Sequence, residues 1–567
     1  MNILFIAVDD LRAQFGRSFN DPEVLTPHMD AFFIDSGGSA MQRSYVQVAV
    51  CGPSRTSMLT GRRPDTTHVG TGSHAGWCWC SRGNCALDSL FMTLPTYFRQ
   101  HGFTTAGGGK LFHPDACKDF THSNGDDPRA WSYGTYWAEA NFTQMEWGTI
   151  PGPGDAVYEN ASIPAPEGGA CRFRDQIHGT CDGKSLLPIP LTDEETTDGM
   201  MATNAIERLA NFSRDGIGRP SVNSSPFFLS VGFHKPHLPH IVPSKYYDLY
   251  DVTNVSLAPN RLVPTNFLEE NFGYAEKTDP YPLNTMELAS YKLNAGPILI
   301  KDGVDFKTPL GEEFSRASRR GYFAAVSFVD AQVGRVVDAL KSEGYVDNTI
   351  VVLWGDHGWH LGDTNSWGKK NNFESATRNA MLWRVPGQSA ASKGRNERFV
   401  ESIDIFPTLV ELTGLPPLPK CEGIDQPPTV ACLQGESYAS EFLPKGVVKT
   451  FTDDSSTAKT AAPSKPKQYA FSQWPFPAWG KQTTLRQGYT VRSAKGYRYT
   501  YYVPYNITSF TGDWTSSGGK DNAAANDDEL YDYTNDPYET TNFAKNASYA
   551  AVVAELKKVL LEQYVTR

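Results

Sequence analysis

Short, uninterrupted apolar runs that each end in polar or charged residues are the clearest pattern in the chain. Asn2 to Val8 leads into Asp9-Asp10, Phe227 to Phe233 into His234-Lys235-Pro236-His237, and Asn348 to Trp354 into Gly355-Asp356-His357-Gly358. Apolar positions without alternation predict parallel strands buried on both faces. Phe103 to Gly109 reads as another strand, whose Gly-rich end delivers Lys110 and His113. Helical spacing is strongest from Tyr322 to Ser342, where Phe323, Val326, Val329, Val333, Val336, Val337 and Leu340 recur on one face. Thr26-Pro27 predicts a helix start, with Pro at its first turn, running to about Ser36. Thr93 to His101 and Glu401 to Leu412 read as further helices, and Ser54 to Leu59 as a helix opening beside Cys51. Strands alternating with helices predict an α/β core. Its polar residues gather where strands end, the edge at which such sheets place their sites.

Residues 448–467, rich in Ser, Thr, Lys, Ala and Pro, read as a linker or surface loop. Beyond them, Tyr489 to Arg492 and Tyr497 to Val503 alternate as in an antiparallel hairpin, and Ala550 to Tyr564 is an amphipathic closing helix. A chain of 567 residues exceeds one small core. The expected division is a larger domain over 1–447, the linker, and a smaller α+β subdomain with an antiparallel sheet over 468–567.

Composition narrows the function classes. Hydrophobic residues at 40% and charged residues at 20% are those of an ordinary globular chain. A mean hydropathy of -0.42, with no apolar run of about 18 residues, argues against a membrane span. A net charge of -11 disfavours a nucleic-acid partner and requires a local basic pocket for any anionic substrate. Of the 9 cysteines, Cys171 and Cys181, and likewise Cys421 and Cys432, flank short loops and could close locally. Cys78, Cys80, Cys85 and Cys117 are left unassigned; disulfides are preferred to a zinc site because no His follows at ligand spacing. Sequons stand at Asn141, Asn160, Asn211, Asn223, Asn254, Asn506 and Asn546. Met1 directly precedes the first strand, so the expectation is a secreted or lysosomal/vacuolar glycoprotein whose start is truncated.

Adjacent carboxylates at a strand end repel unless a cation neutralises them. Asp9 and Asp10, with Asp356 and His357 at another strand end, form a candidate metal set, and oxygen-dominated ligation suits Ca²⁺ or Mg²⁺. Cys51-Gly52-Pro53-Ser54-Arg55, followed by Leu59-Thr60-Gly61-Arg62, resembles the two-part signature of type I sulfatases. In that family the cysteine is converted to Cα-formylglycine by a formylglycine-generating enzyme. Gly108-Gly109-Lys110-Leu111-Phe112-His113-Pro114, Gly232-Phe233-His234-Lys235-Pro236-His237 and Trp367-Gly368-Lys369 are similar to the iduronate-2-sulfatase subfamily. So are Arg62-Arg63-Pro64-Asp65-Thr66-Thr67, Asp404-Ile405-Phe406-Pro407-Thr408-Leu409 and Glu529-Leu530-Tyr531-Asp532; the Asp-His pair at 356–357 is itself a mark of that subfamily.

The resemblance implies an alkaline-phosphatase-like fold, a large mixed and mostly parallel sheet flanked by helices, with residues 1–447 as the catalytic domain. It implies one Ca²⁺, ahead of Mg²⁺, held by Asp9, Asp10, Asp356, His357 and modified Cys51. Arg55 would stand against the formylglycine, Lys110 and Lys369 would contact sulfate oxygens, and His113 and His234 would line the same pocket. His234 is expected to protonate the leaving alcohol, with Lys369 in competition; His237 reads equally as a structural histidine. The implied substrate is a sulfated sugar. Two departures bear on which one: residues 68 to 90 do not follow the family, and Phe476 stands where the family has a basic residue. The alternatives are a sulfatase for a polysaccharide other than a glycosaminoglycan, and a phosphonate or phosphate monoester hydrolase of the same fold. A glycan-binding pseudoenzyme has no need of the set from Asp9 to Lys369.

Overall fold

The computed structural model describes residues 1–70, 91–113, 126–127, 129–133, 162–164, 170–172, 186–221, 224–238, 240–267, 309–423, 431–443, 465–476, 485–506, 511–514 and 528–565. Its main sheet has seven strands: β1 (Asn2–Val8), β2 (Ser39–Tyr45), β3 (Thr104–Gly109), β4 (Phe227–Phe233), β5 (Thr349–Gly355), β6 (Met381–Arg384) and β7 (Gly394–Glu401), in the order β7-β2-β6-β5-β1-β4-β3. β6 is antiparallel to both neighbours and every other pairing is parallel. The central strand β1 shows why its run carries no alternation. Leu4, Ile6 and Val8 enter one hydrophobic core while Ile3, Phe5 and Ala7 enter another on the opposite face.

Helices α1 (Cys51–Thr60), α2 (Leu94–Gln100), α3 (Thr197–Arg214), α4 (Glu312–Ser342) and α5 (Ile405–Thr413) cover the two faces. α4 and α3 pack with β1 and β4 into the first core, and α2 and α5 lie in the second. The expected helix after Thr26 is a single turn, Pro27–Met29, continued by wider turns over Asp30–Asp35. Its free amides are capped from α4 rather than by Thr26: the backbone N–H groups of His28 and Met29 donate to Asp330 at 3.0 and 2.7 Å. The expected helix start at Glu401 is corrected. Glu401 ends β7, and α5 begins at Ile405 after the turn Ser402–Asp404.

The C-terminal part forms an antiparallel sheet of β8 (Tyr469–Phe476), β9 (Leu485–Ser493), β10 (Tyr497–Asn506) and β11 (Asp528–Asp532), with the short Thr511–Gly512 strand beside β10. α6 (Ala550–Tyr564) closes over it through Leu556, Leu560 and Tyr564. Of the expected local disulfides, Cys421–Cys432 is formed. Cys171–Cys181, Cys78, Cys80, Cys85, Cys117 and most of 448–467 lie outside the described residues or their described side chains.

A buried ionic cluster ties β8's approach to the main sheet. Glu401 accepts from Arg63 at 2.8 Å and from Lys467 at 2.7 Å, and Lys467 also reaches Asp404 at 2.7 Å. Burial would raise the Glu401 carboxyl, but Arg63 and then Lys467 hold it down to about 2 from 4.5. A depressed carboxylate contributes stability above its unfolded value and loses it as pH falls. Glu401→Gln leaves both cations without their shared partner and is expected to destabilise the fold by roughly 3–5 kcal/mol at neutral pH. Thermal unfolding should show that gap shrinking as pH falls below about 4.5 toward 2.

Candidate active site

Four chain segments meet at the ends of the central strands. β1 delivers Asp9 and Asp10, the latter in a left-handed conformation with φ 62° that a non-Gly residue adopts at a cost. β5 delivers Asp356 and His357, and the N–H of Asp10 donates to Asp356 at 2.9 Å. α1 starts at Cys51, so its first turn carries both Cys51 and Arg55. β3 delivers Lys110 through an approach that glycine alone permits. Gly109 has φ 71°, and a Cβ there would sit 1.9 Å from the Gly232 carbonyl oxygen.

Donor atoms of Asp9, Asp10, Cys51, Asp356 and His357 lie within 4.8 Å of one another, all buried. Three cations face the three carboxylates. Lys110 Nζ is 2.6 Å from Asp9 Oδ2, and Lys369 Nζ is 2.6 Å from Asp10 Oδ1 and 3.1 Å from Cys51 Sγ. Arg55 Nε donates to Asp356 at 2.9 Å and its Nη2 to Asp9 at 3.1 Å, while Nη1 donates to the carbonyls of Lys110 and Leu111. Arg55 is therefore a clamp between the two carboxylates one helical turn from Cys51. His357 Nε2 lies 3.3 Å from Cys51 Sγ, and its Nδ1 faces the Gly358 carbonyl at 2.9 Å.

Electrostatics follow from burial and these partners. Burial alone would raise Asp9, but Lys110 and the other cations hold it well below the usual carboxylate range. Burial pushes Asp356 up to about 6 against the pull of Arg55. Burial and then Asp9 push the Cys51 thiol well up, so the thiol stays protonated. Burial, followed by Lys110, holds His113, His234 and His237 well below the imidazole range.

Every residue expected at the site is placed around it. His113 flanks the start of α1, its Cγ 3.8 Å from where a Cβ on Gly52 would be. His234 and His237 have ring centroids 5.0 Å apart, and both offer nitrogens within 4.8 Å of an Asp9 carboxylate oxygen. His237, which reads equally as a structural histidine, thus has its ring beside Asp9. Asp198 had no sequence signal. It stands in the first turn of α3 and accepts the backbone N–H groups of His234 at 2.7 Å and Lys235 at 2.8 Å. Tyr322, named in the sequence only as the start of a helical span, donates its hydroxyl to the Asp10 carbonyl at 2.7 Å.

A mostly parallel sheet with a carboxylate-and-cation site at its strand ends defines an alkaline-phosphatase-like hydrolase fold. Among solved structures, the phosphonate monoester hydrolase of Silicibacter pomeroyi aligns with a TM-score of 0.64 at 19% identity, covering 99% of this chain and 94% of that one. A 2-O GAG sulfatase aligns with a TM-score of 0.59 at 19% identity, covering 100% and 92%. The particular family comes from sequence. The sulfatase family model matches residues 1–415, and mouse (Mus musculus) iduronate 2-sulfatase is 30% identical over 591 residues, 98% of this chain and 93% of that protein. The chain belongs to the sulfatase family and is an enzyme of that family.

Asp198→Ala strips two buried amides of their acceptor and is expected to cost roughly 1–3 kcal/mol of stability. Sulfate-ester hydrolysis should fall further than unfolding explains, because the segment from His234 to His237 loses its anchor; kcat measured well below the melting temperature checks this.

Proposed function

We propose that this protein hydrolyses a sulfate ester on an anionic carbohydrate, in the manner of an iduronate-2-sulfatase-like, formylglycine-dependent sulfatase. The observation that carries the reading is the convergence of Arg55, Lys110 and Lys369 on Asp9, Asp10 and Cys51 in one buried place. With a divalent cation bound to the three carboxylates, those three basic side chains would leave the pocket net positive, which suits an anionic substrate in a chain of net charge -11.

The residues fit a divalent cation: three carboxylates and an imidazole supply a mainly hard-oxygen donor set, buried and mutually within 4.8 Å. Asp9, Asp10, Asp356, His357 and residue 51 would hold Ca²⁺, with Mg²⁺ the second choice, and the ion would supply Lewis-acid stabilisation of charge on the sulfate oxygens. Converted to Cα-formylglycine by a formylglycine-generating enzyme, residue 51 would supply a hydrated aldehyde, an oxygen nucleophile able to release sulfate by reverting to the carbonyl.

The chain's own residues do the rest. Lys110 and Lys369 bind the sulfate oxygens and offset the charge that builds as the S–O bond to the sugar lengthens. Arg55 fixes Asp9 and Asp356, and so the position of the first turn of α1. His113 lines the pocket beside residue 52. His234 is the group placed to donate the proton to the leaving alcohol: burial, then Lys110 and Lys235, keep its ring neutral, and the negative charge of a bound sulfate would oppose the two lysine fields. His237 keeps the ring of His234 in place. The expected setting is a secreted or lysosomal/vacuolar compartment. The Cys421–Cys432 disulfide suits an oxidising one, and among the described residues no helix is long and apolar enough to cross a membrane.

Three measurements test the reading. Mass spectrometry of the Cys51 peptide from the native host should find one sulfur and two hydrogens replaced by one oxygen; an intact thiol sinks the formylglycine reading. Hydrolysis of p-nitrophenyl sulfate should vanish on chelation and return with Ca²⁺, while the matching phosphate and phosphonate esters turn over more slowly. Lys110→Ala should lower kcat roughly 10²–10³-fold.

A further inference from the structure

The metal set proposed above depends on a departure from strand geometry. Successive side chains of a strand point to opposite faces, so two adjacent aspartates continuing β1 would send their carboxylates to opposite sides of the sheet. Asp9 and Asp10 instead offer oxygens within 4.8 Å of each other and of the other three donors. The change of direction falls at Asp10, whose φ of 62° lies in the left-handed region. Asp10 is fully buried, so its main-chain polar groups have to be satisfied within the protein. A left-handed aspartate is uphill unless its surroundings hold it there.

Part of that hold comes from α4. The Tyr322 hydroxyl donates to the Asp10 carbonyl at 2.7 Å and accepts the Arg12 N–H at 2.9 Å, so one oxygen spans both ends of the turn. Other groups of the turn are held from β5 and the start of β6. The Asp10 N–H donates to Asp356 at 2.9 Å, and the Leu11 carbonyl accepts the Ala380 N–H at 3.3 Å. β5 passes so close that a Cβ on Gly355 would stand 2.5 Å from the Leu11 carbonyl oxygen. Tyr322 is fully buried in the core that also holds Leu4, Ile6, Val8 and Leu11, and its ring meets the His240 ring edge-on at 5.7 Å. Packing on a 31-residue helix therefore fixes where its hydroxyl stands. Of these supports, Asp356 is itself a proposed ligand and the Ala380 amide belongs to the main chain. The Tyr322 hydroxyl is the one that a substitution can remove without touching the metal set.

We propose that Tyr322 is a positioning residue of the metal site: by bridging the Asp10 carbonyl and the Arg12 N–H, it holds the left-handed conformation that brings the Asp10 carboxylate beside those of Asp9 and Asp356. The inference rests on the divalent-cation reading above, and the role is in metal affinity rather than in bond breaking. Without the hydroxyl, two buried main-chain groups lose a partner. Asp10 then relaxes toward extended backbone, the conformation in which its carboxylate leaves the set. Groups that orient a metal ligand from behind typically govern affinity by roughly 10–100-fold.

The test measures Ca²⁺ binding by calorimetry on metal-stripped protein from the native host, as wild type, Tyr322→Phe and Tyr250→Phe. Tyr250 is the control: its hydroxyl also meets α4, at Ser327 Oγ 2.6 Å away, and accepts the Leu25 N–H at 2.9 Å, and neither contact involves a proposed ligand. Tyr322→Phe should raise the Ca²⁺ Kd roughly 10–100-fold, while Tyr250→Phe leaves it at the wild-type value. Turnover of p-nitrophenyl sulfate by Tyr322→Phe should climb back toward the wild-type kcat as Ca²⁺ is raised, with KM for the ester unchanged. An unchanged Kd in Tyr322→Phe overturns the proposal, and so does an equal rise in both variants, which marks a general loosening. Where Tyr322→Phe yields no folded protein, hydrogen exchange of the wild type decides: Ca²⁺ should slow exchange at the Arg12 amide, and no slowing overturns the proposal. A wild type that binds neither Ca²⁺ nor Mg²⁺ defeats the metal reading itself and takes this inference with it; metal binding that is indifferent to Tyr322 defeats the inference alone.

Discussion

Three carboxylates brought to one buried point by two adjacent parallel strands are the constraint around which the rest of the structure is arranged. Asp9 and Asp10 follow β1, and Asp356 follows β5, its parallel neighbour in register from Asn2↔Thr349 to Val8↔Gly355. Like charges this close, removed from water, repel strongly unless they are compensated. The compensation comes from three other segments: Arg55 from the first turn of α1, Lys110 from the end of β3, and Lys369 from the loop after β5. Each supplier has its own support. Arg55 is clamped by backbone carbonyls as well as carboxylates, Lys110 rides on the close passage of Gly109 past Gly232, and Lys369 sits on a segment tied to Ala49 and Gly488. The site is therefore a balance of opposed charges, and neutralising any one of them leaves another buried without its partner.

That balance explains why so much of the fold was legible in the sequence. Strands whose ends carry buried charge have to be buried themselves, and a strand buried on both faces shows as a continuous apolar run, as β1, β4 and β5 do. The residues just past each run are then the chemistry, and the pentapeptide at Cys51 names its family by motif. The strands that escaped notice are polar for a physical reason. β2 contains Gln42, Arg43 and Ser44, and β7 at the sheet edge carries Arg395, Asn396, Glu397 and Arg398, whose charges suit an exposed edge and hide the strand signal. Glu401 looked like a helix start because a capping acid and a strand-terminal acid are the same letter. Only the Arg63 and Lys467 contacts distinguish them.

Parts of the site were invisible for a different reason. Asp198 works through backbone amides 36 and 37 residues away, and Tyr322 through a carbonyl 312 residues away. Neither has a local pattern, because a hydrogen bond to a main-chain group constrains the acceptor's position and not the partner's side chain. His237 was ambiguous in sequence since a histidine at a strand end serves packing or chemistry equally well. What separates the two is the proximity of its ring nitrogen to Asp9, which is a property of the folded chain.

The C-terminal sheet extends the same logic of paired charge outward from the site. The side away from α6 holds Arg492 against Glu374 and Arg498 against Glu539, and Glu374 also accepts the Tyr45 hydroxyl at 2.8 Å. Glu374 fastens the sheet to β2 and to the segment after β5, through Arg492, the Tyr45 hydroxyl and its own N–H donated to Glu539 at 3.1 Å. Rigid attachment of this kind holds the segments it touches in place, and small displacements at a reacting centre are costly in rate. The sheet lies against Val46, Val48 and the Lys369–Asn372 segment, and so against the immediate support of Cys51 and Lys369. The C-terminal sheet and the buried charge cluster are in this way parts of one continuous, ion-paired scaffold.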